Sequence, residues 1–141
     1  MKNRMLAVYL LGMLTGLVAF STTPAFGDDK KPEITITSVP TDPPGENMAS
    51  ESVKGTVTGV NPAECKVVVY ARGDKWYVQP TMAEPLISIN GDGKWESETH
   101  GGTKFVALLV KPSYKPEANP GKIPAEGGNV LAVSKEKTPG K

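Results

Sequence analysis

The chain has 141 residues with 16 Lys and Arg against 15 Asp and Glu, an interspersed, near-neutral balance that excludes nucleic acid and anionic lipid as electrostatic partners. A single cysteine rules out an intrachain disulfide, and one cysteine with one histidine cannot build a zinc site.

Residues 1–27 have the three zones of a secretory signal. Lys2 and Arg4 lead an apolar stretch from Met5 to Phe20, and a small-residue tail places Ala25 and Gly27 at the −3 and −1 positions of a cut before Asp28. The apolar stretch falls short of the roughly 20 residues that a bilayer span needs, so no membrane insertion is expected after cleavage. Two of the 16 basic residues and none of the 15 acidic ones lie in this segment, so residues 28–141 carry a net −1. That remainder is the size of one domain with one modest core. The expected destination is the periplasm or the outside of the cell.

Residues 28–32 are charged and read as a disordered tether, followed by one domain over 33–134 and a polar tail over 135–141. Ile34 and Ile36 alternate with threonines in the first predicted strand, 33–39, which Pro40 ends. Residues 41–52, with Pro43, Pro44, Gly45 and Asn47, read as a loop crossing an end of the sheet. A second strand, 52–60, sets Val53 and Val57 against Lys54, Thr56 and Thr58. Asn61 to Glu64 is a turn, and Cys65 a small apolar residue at a strand start, with an intermolecular disulfide as the sharper alternative.

Lys66 to Ala71 is the most apolar strand after the signal, continuous enough to be central and covered on both faces. Arg72-Gly73-Asp74 turns into 75–79, which Pro80 stops. Leu86 to Ile89 leads into Asn90-Gly91-Asp92-Gly93, whose glycines supply the positive angles of a tight hairpin, and Lys94 to Thr99 returns. On that strand Trp95, Ser97 and Thr99 share one face and Glu96 and Glu98 the other. Phe105 to Val110 is a second fully apolar central strand. Residues 111–128, with Pro112, Pro116, Pro120 and Pro124, form a long irregular connection, and 129–133 closes the sheet. Seven or eight short strands with no helical period predict an all-β antiparallel sandwich.

Gly55-x-Val57-x-Gly59, Val67-Val68-Val69-Tyr70, Asp92-Gly93-Lys94-Trp95 and Gly102-Thr103-x-Phe105 occur in that order, and the pattern resembles the bacterial immunoglobulin-like modules of secreted and surface proteins. The resemblance runs from about Ile34 to Val133. It implies an immunoglobulin-like topology, a core role for Trp95, no shared catalytic residues and no cofactor. Members serve as spacers, adhesin stalks, protein-binding units and companions of carbohydrate-active enzymes.

Nucleophilic triads would all have to use His100, at a strand end beside two glycines, and Glu96 and Glu98 at i and i+2 read as a solvated face, so no catalytic residue is assigned. Asn90 to Gly93 lacks the alternating oxygen ligands of a calcium loop, and no metal site is assigned. Trp76 and Tyr77 are adjacent and must point to opposite faces of a strand, so at least one is exposed. Trp76, Tyr77 and Tyr114, with Arg72 and Gln79, are therefore the candidate ligand-binding residues. The expected partner is an extracellular or envelope protein bound by a non-catalytic module; the alternative is a polysaccharide stacked on Trp76 and Tyr77.

The export reading predicts that the protein recovered from outside the cytoplasm begins at Asp28. Mass spectrometry of its N-terminal peptide checks this, and a chain that retains residues 1–27 in the cytoplasmic fraction contradicts it.

Overall fold

The computed structural model describes residues 30–40 and 51–139. The signal segment and most of the expected 41–52 loop lie outside these residues. Eight strands form two antiparallel sheets: β1 (Glu33–Ser38), β2 (Glu51–Thr58), β3 (Lys66–Arg72), β4 (Trp76–Gln79), β5 (Ile87–Ser88), β6 (Lys94–Thr99), β7 (Phe105–Val110) and β8 (Val130–Val133). Sheet A has the order β1-β2-β6. Sheet B has the order β4-β3-β7-β8, with β5 also paired to β3.

The alternation read from the sequence sets the inner faces. Ile34, Ile36, Val53, Val57 and Trp95 of sheet A pack against Val67, Val69, Ala71, Phe105, Ala107 and Leu109 of sheet B. Each such side chain moved out of water contributes roughly 1.5–3 kcal/mol. Trp95 is buried directly across from Gly55 in the β2–β6 ladder. A Cβ at position 55 would fall on Thr35 O and on the indole of Trp95, so the missing side chain is what lets the ring lie flat on β2. The indole Nε1 has no hydrogen-bond partner there, so packing of the ring offsets a cost of about 1–3 kcal/mol.

Sheet B is apolar on its outer face too. Val68, Tyr70, Trp76, Val78, Val106, Leu108, Val110 and Val130 form a second cluster, on which Leu86, Tyr114 and Ile123 pack. Residues 111–129 thus form a strap across the outside of the sheet. Proline suits this position because it brings no N–H that the apolar face would leave unsatisfied, and Pro116 and Pro120 are buried. Other polar groups of the strap meet the free edge of β4: Val78 N donates to Ala118 O (3.0 Å) and Asn119 Nδ2 to Trp76 O (3.2 Å). Tyr70, beneath the strap, donates its hydroxyl to Glu117 O at 3.1 Å.

Three local features differ from the sequence reading. Asn90 to Lys94 closes as a turn, with Gly93 at φ 86° and Asn90 N donating to Lys94 O at 2.8 Å, but it does not join two paired strands. β5 pairs with β3 and β6 with β2, so the turn is a corner that carries the chain from sheet B to sheet A around buried Ile89. Of its two glycines only Gly93 takes a positive φ. After β8 the chain stays beside β7: Ser134 N bonds Ala107 O at 2.9 Å, and Phe105 and Lys137 exchange both backbone bonds at 2.9 Å. Pairing therefore runs past the expected start of the polar tail.

Gly55→Ala should destabilise the fold by about 1–3 kcal/mol through overpacking of Trp95 and Thr35. Gly91→Ala, in open space at the corner, should leave the denaturation midpoint unchanged. Equal midpoints for parent and Gly55→Ala would contradict the close approach.

Candidate functional site at the β4 edge

The five candidate residues divide between the two faces of β4. Trp76 and Val78 point outward into the second cluster, and Trp76 is only 6% exposed. Arg72, directly across the ladder from Trp76, sets its guanidinium carbon 5.5 Å from the ring centroid. Tyr114 lies half-buried in the same outer cluster. The structure therefore brings Trp76, Tyr114 and Arg72 to one face, where the strap holds the two rings against the sheet.

Tyr77 and Gln79 take the opposite face. Tyr77 is 40% exposed, one of two large apolar side chains so placed among the described residues. Its hydroxyl donates to Asp74 Oδ1 at 2.7 Å, a bond that fixes the ring. The same bond moves the two groups apart in acidity. It holds the Asp74 carboxyl below its ordinary value and raises the Tyr77 phenol above its own, because it is strongest with aspartate ionised and tyrosine neutral.

Gln79 is buried and joins the two sheets. Its Oε1 accepts from Thr99 Oγ1 (3.1 Å) and His100 N (3.0 Å) of β6 and the residue after it, and its Nε2 donates to Tyr77 O (3.3 Å). A carboxamide can accept twice and donate twice, and here it closes the side of the sandwich where the sheets would otherwise part.

Sheet A is three strands wide and sheet B presents four across its breadth, so the inner face of β4 runs beyond the cover that β6 provides. The overhang leaves a groove of about 390 Å³, lined by Gly73, Tyr77, Gln79, Pro80, His100 and Gly101 among others. His100 thus stands at the mouth of a groove, a position that its sequence context of turn glycines did not indicate. The signal for Gln79 was equally weak: a glutamine ending a strand before proline reads as exposed until the partner sheet is known.

The remaining reactive groups lie elsewhere. Cys65 is buried in the inner core, and desolvation, followed by the neighbouring Glu64, raises its thiol above the ordinary value and disfavours the reactive thiolate. Glu96 and Glu98 are on the solvated face of β6, Glu96 within 3.7 Å of Lys54 Nζ in an exposed pair of little energetic weight. Among the described residues no group of three or more His, Cys, Asp or Glu side chains could hold a metal ion, and no helix is long and apolar enough to cross a membrane. No known family, curated protein or solved structure matches the chain.

Trp76→Ala should cost about 3–5 kcal/mol, since it empties a covered site on the outer face of sheet B. Tyr77→Ala should shift stability by no more than about 0.5 kcal/mol, the range of exposed substitutions. Chemical denaturation of the two variants beside the parent checks the pair, and equal losses would contradict the opposite placement of the rings.

Proposed function

We propose that this chain is an exported, non-catalytic binding module of immunoglobulin-like topology whose partner is a protein of the cell envelope or the extracellular space. The strand order supports the topology. Lettered along the chain, with β4 as C′ and β6 as E, the sheets read A-B-E and C′-C-F-G, and the chain crosses between them after B, before E and after E, as in sandwich modules of that class. The sole histidine at the end of β6 and the sole cysteine in the core at the start of β3 support a non-catalytic reading.

The observation that carries the choice of partner is the unequal treatment of the sheet edges. On the β4 and β6 side, several outward-facing backbone groups already have partners. Ala118 and Asn119 serve β4, while on β6 Lys94 O accepts from Asn90 N, Glu98 O from Ser97 Oγ (2.9 Å), and Gln79 takes His100 N just beyond the strand. The other side keeps free groups on both of its edge strands among the described residues. Val57 N bonds Gly93 O, which assigns the odd-numbered residues of β2 to the β6 ladder and the even-numbered ones to β1. Glu33 and Thr35 therefore pair with β2, and the backbone groups of Ile34 and Ile36 point outward. On β8 the bond from Ser134 N to Ala107 O sets the phase, so Ala132 pairs with β7 while Val133 presents its backbone outward; the register shifts at Leu131, and Val130 N and O are both bonded to Gly127. A row of free donors and acceptors is what a partner segment needs for strand addition.

The polysaccharide alternative required several rings aligned in water, and two of its three rings lie under or against the strap. The protein reading is tested by photo-crosslinking in the native cells from exposed Thr35 and Lys135, with Lys75 on the opposite side as control, followed by amide exchange of the purified complex. One exported protein should be trapped from the first two positions only, with the N–H groups of Ile34, Ile36 and Val133 newly protected. Protection confined to the β4 side, or no adduct from Thr35 and Lys135, would overturn strand addition.

A further inference from the structure

The groove under the β4 overhang is separate from the β1 and β8 edges. Three of its properties define what it can hold. Its wall is an aromatic ring whose hydroxyl donates to Asp74 at 2.7 Å, and its flank is bare, because position 73 is glycine; even a Cβ there would meet Tyr77 Cε2 at 3.6 Å. Its floor is the carboxamide of Gln79, a residue 4% exposed, whose Nε2 spends one hydrogen on Tyr77 O and has no second acceptor among the described residues. At its mouth the exposed His100 engages only its backbone N–H, leaving the imidazole free to donate or accept.

The electrostatics narrow the occupant further. None of Gly73, Tyr77, Gln79, Pro80 and Gly101 carries a formal charge, and the nearest carboxylate, Asp74, is engaged by the tyrosine. An anion would find no lysine or arginine among the lining residues, and a cation no lining carboxylate. A polypeptide strand would find the β4 backbone partly engaged, because Tyr77 and Gln79 pair with β3 while Val78 N and Trp76 O are taken by the strap. What remains is a compact neutral molecule with an apolar face for the ring and hydroxyls for the amide and imidazole. The volume of about 390 Å³ lies in the range of small-ligand sites.

We propose that the groove between β4 and the end of β6 binds a neutral saccharide, one sugar ring stacking on Tyr77 while its hydroxyls bond Gln79 Nε2 and the His100 imidazole. This differs from an extended platform on the sandwich surface. It takes one or two sugar units, as a chain end or side branch would offer, and it leaves the β1 and β8 edges free for a polypeptide. Asp74 is a positioning residue here, since it acts through the tyrosine.

The test is a two-dimensional 1H–15N NMR titration of residues 28–141 with soluble short oligosaccharides of glucose, mannose, galactose and N-acetylglucosamine, and with a proline-rich peptide as the competing occupant. The expected result is saturable shifts for at least one sugar, confined to the amides of Gly73, Tyr77, Gly101 and His100 and to the Gln79 side-chain NH2. Tyr77→Ala should weaken that binding by roughly tenfold or more while its melting curve matches the parent. Tyr77→Phe should keep more of it than Tyr77→Ala, and His100→Ala should weaken it without moving the melting curve. No saturable shifts with any sugar, shifts placed elsewhere, unaltered affinity in Tyr77→Ala, or saturation by the peptide alone would each overturn the proposal. None of these outcomes bears on whether a protein docks at β1 and β8, which the exchange experiment reads separately.

Discussion

The structure depends on burying both faces of β3 and β7. Every residue of β7 and the central five of β3 are buried, inner positions against sheet A and outer positions against the strap of residues 111–129 and Leu86. Many small domains are braced by a disulfide, and with Cys65 alone none can form within the chain. The outer cluster offsets that lack. It adds Tyr70, Trp76, Leu108 and their neighbours to the apolar area removed from water, using a segment that would otherwise be a loop.

The same strap decides which edge of the sheet is accessible. By supplying an acceptor at Ala118 and a donor at Asn119 it engages part of the β4 edge, while the corner at Asn90 and Gln79 engage the first residue of β6 and the residue after it. One side of the sandwich is therefore partly engaged by bonds within the chain. The opposite side is flanked instead by devices that limit strand addition without abolishing it: β1 is six residues long, lies between Pro32 and Pro40, and carries a register shift between Ile36 and Ser38. An edge so bounded resists indiscriminate pairing yet keeps two outward N–H groups for a partner of matching length.

What was legible in the sequence was whatever depends on a period of two. The alternation of Ile34 and Ile36, the opposite faces of Trp76 and Tyr77, and the placing of Trp95, Ser97 and Thr99 against Glu96 and Glu98 all follow from strand geometry and stand in the structure. The continuous apolar runs of β3 and β7 correctly implied cover on both faces. They could not say that the cover was the proline-rich segment, because irregular backbone has no period and its docking is fixed by where Pro116, Pro120 and Tyr114 meet the sheet. The corner at Asn90 to Gly93 was misread for a related reason. Turn residues specify a local reversal and carry no information about which sheet the next strand joins.

The candidate site was legible as a set of residues and not as an arrangement. Adjacent aromatics on one strand announce that a ring will be left over, and Tyr77 is that ring. Its role in the proposed saccharide site rests on contacts that the sequence cannot rank: the aspartate three positions earlier that accepts from its hydroxyl, the glycine that leaves its flank bare, and a glutamine two positions later that bonds across to the other sheet. Rigidity matters more here than area. A lone exposed tyrosine free to rotate gives up side-chain entropy on every encounter, whereas one already held by a 2.7 Å hydrogen bond has lost that freedom on folding and meets a ligand without the further cost.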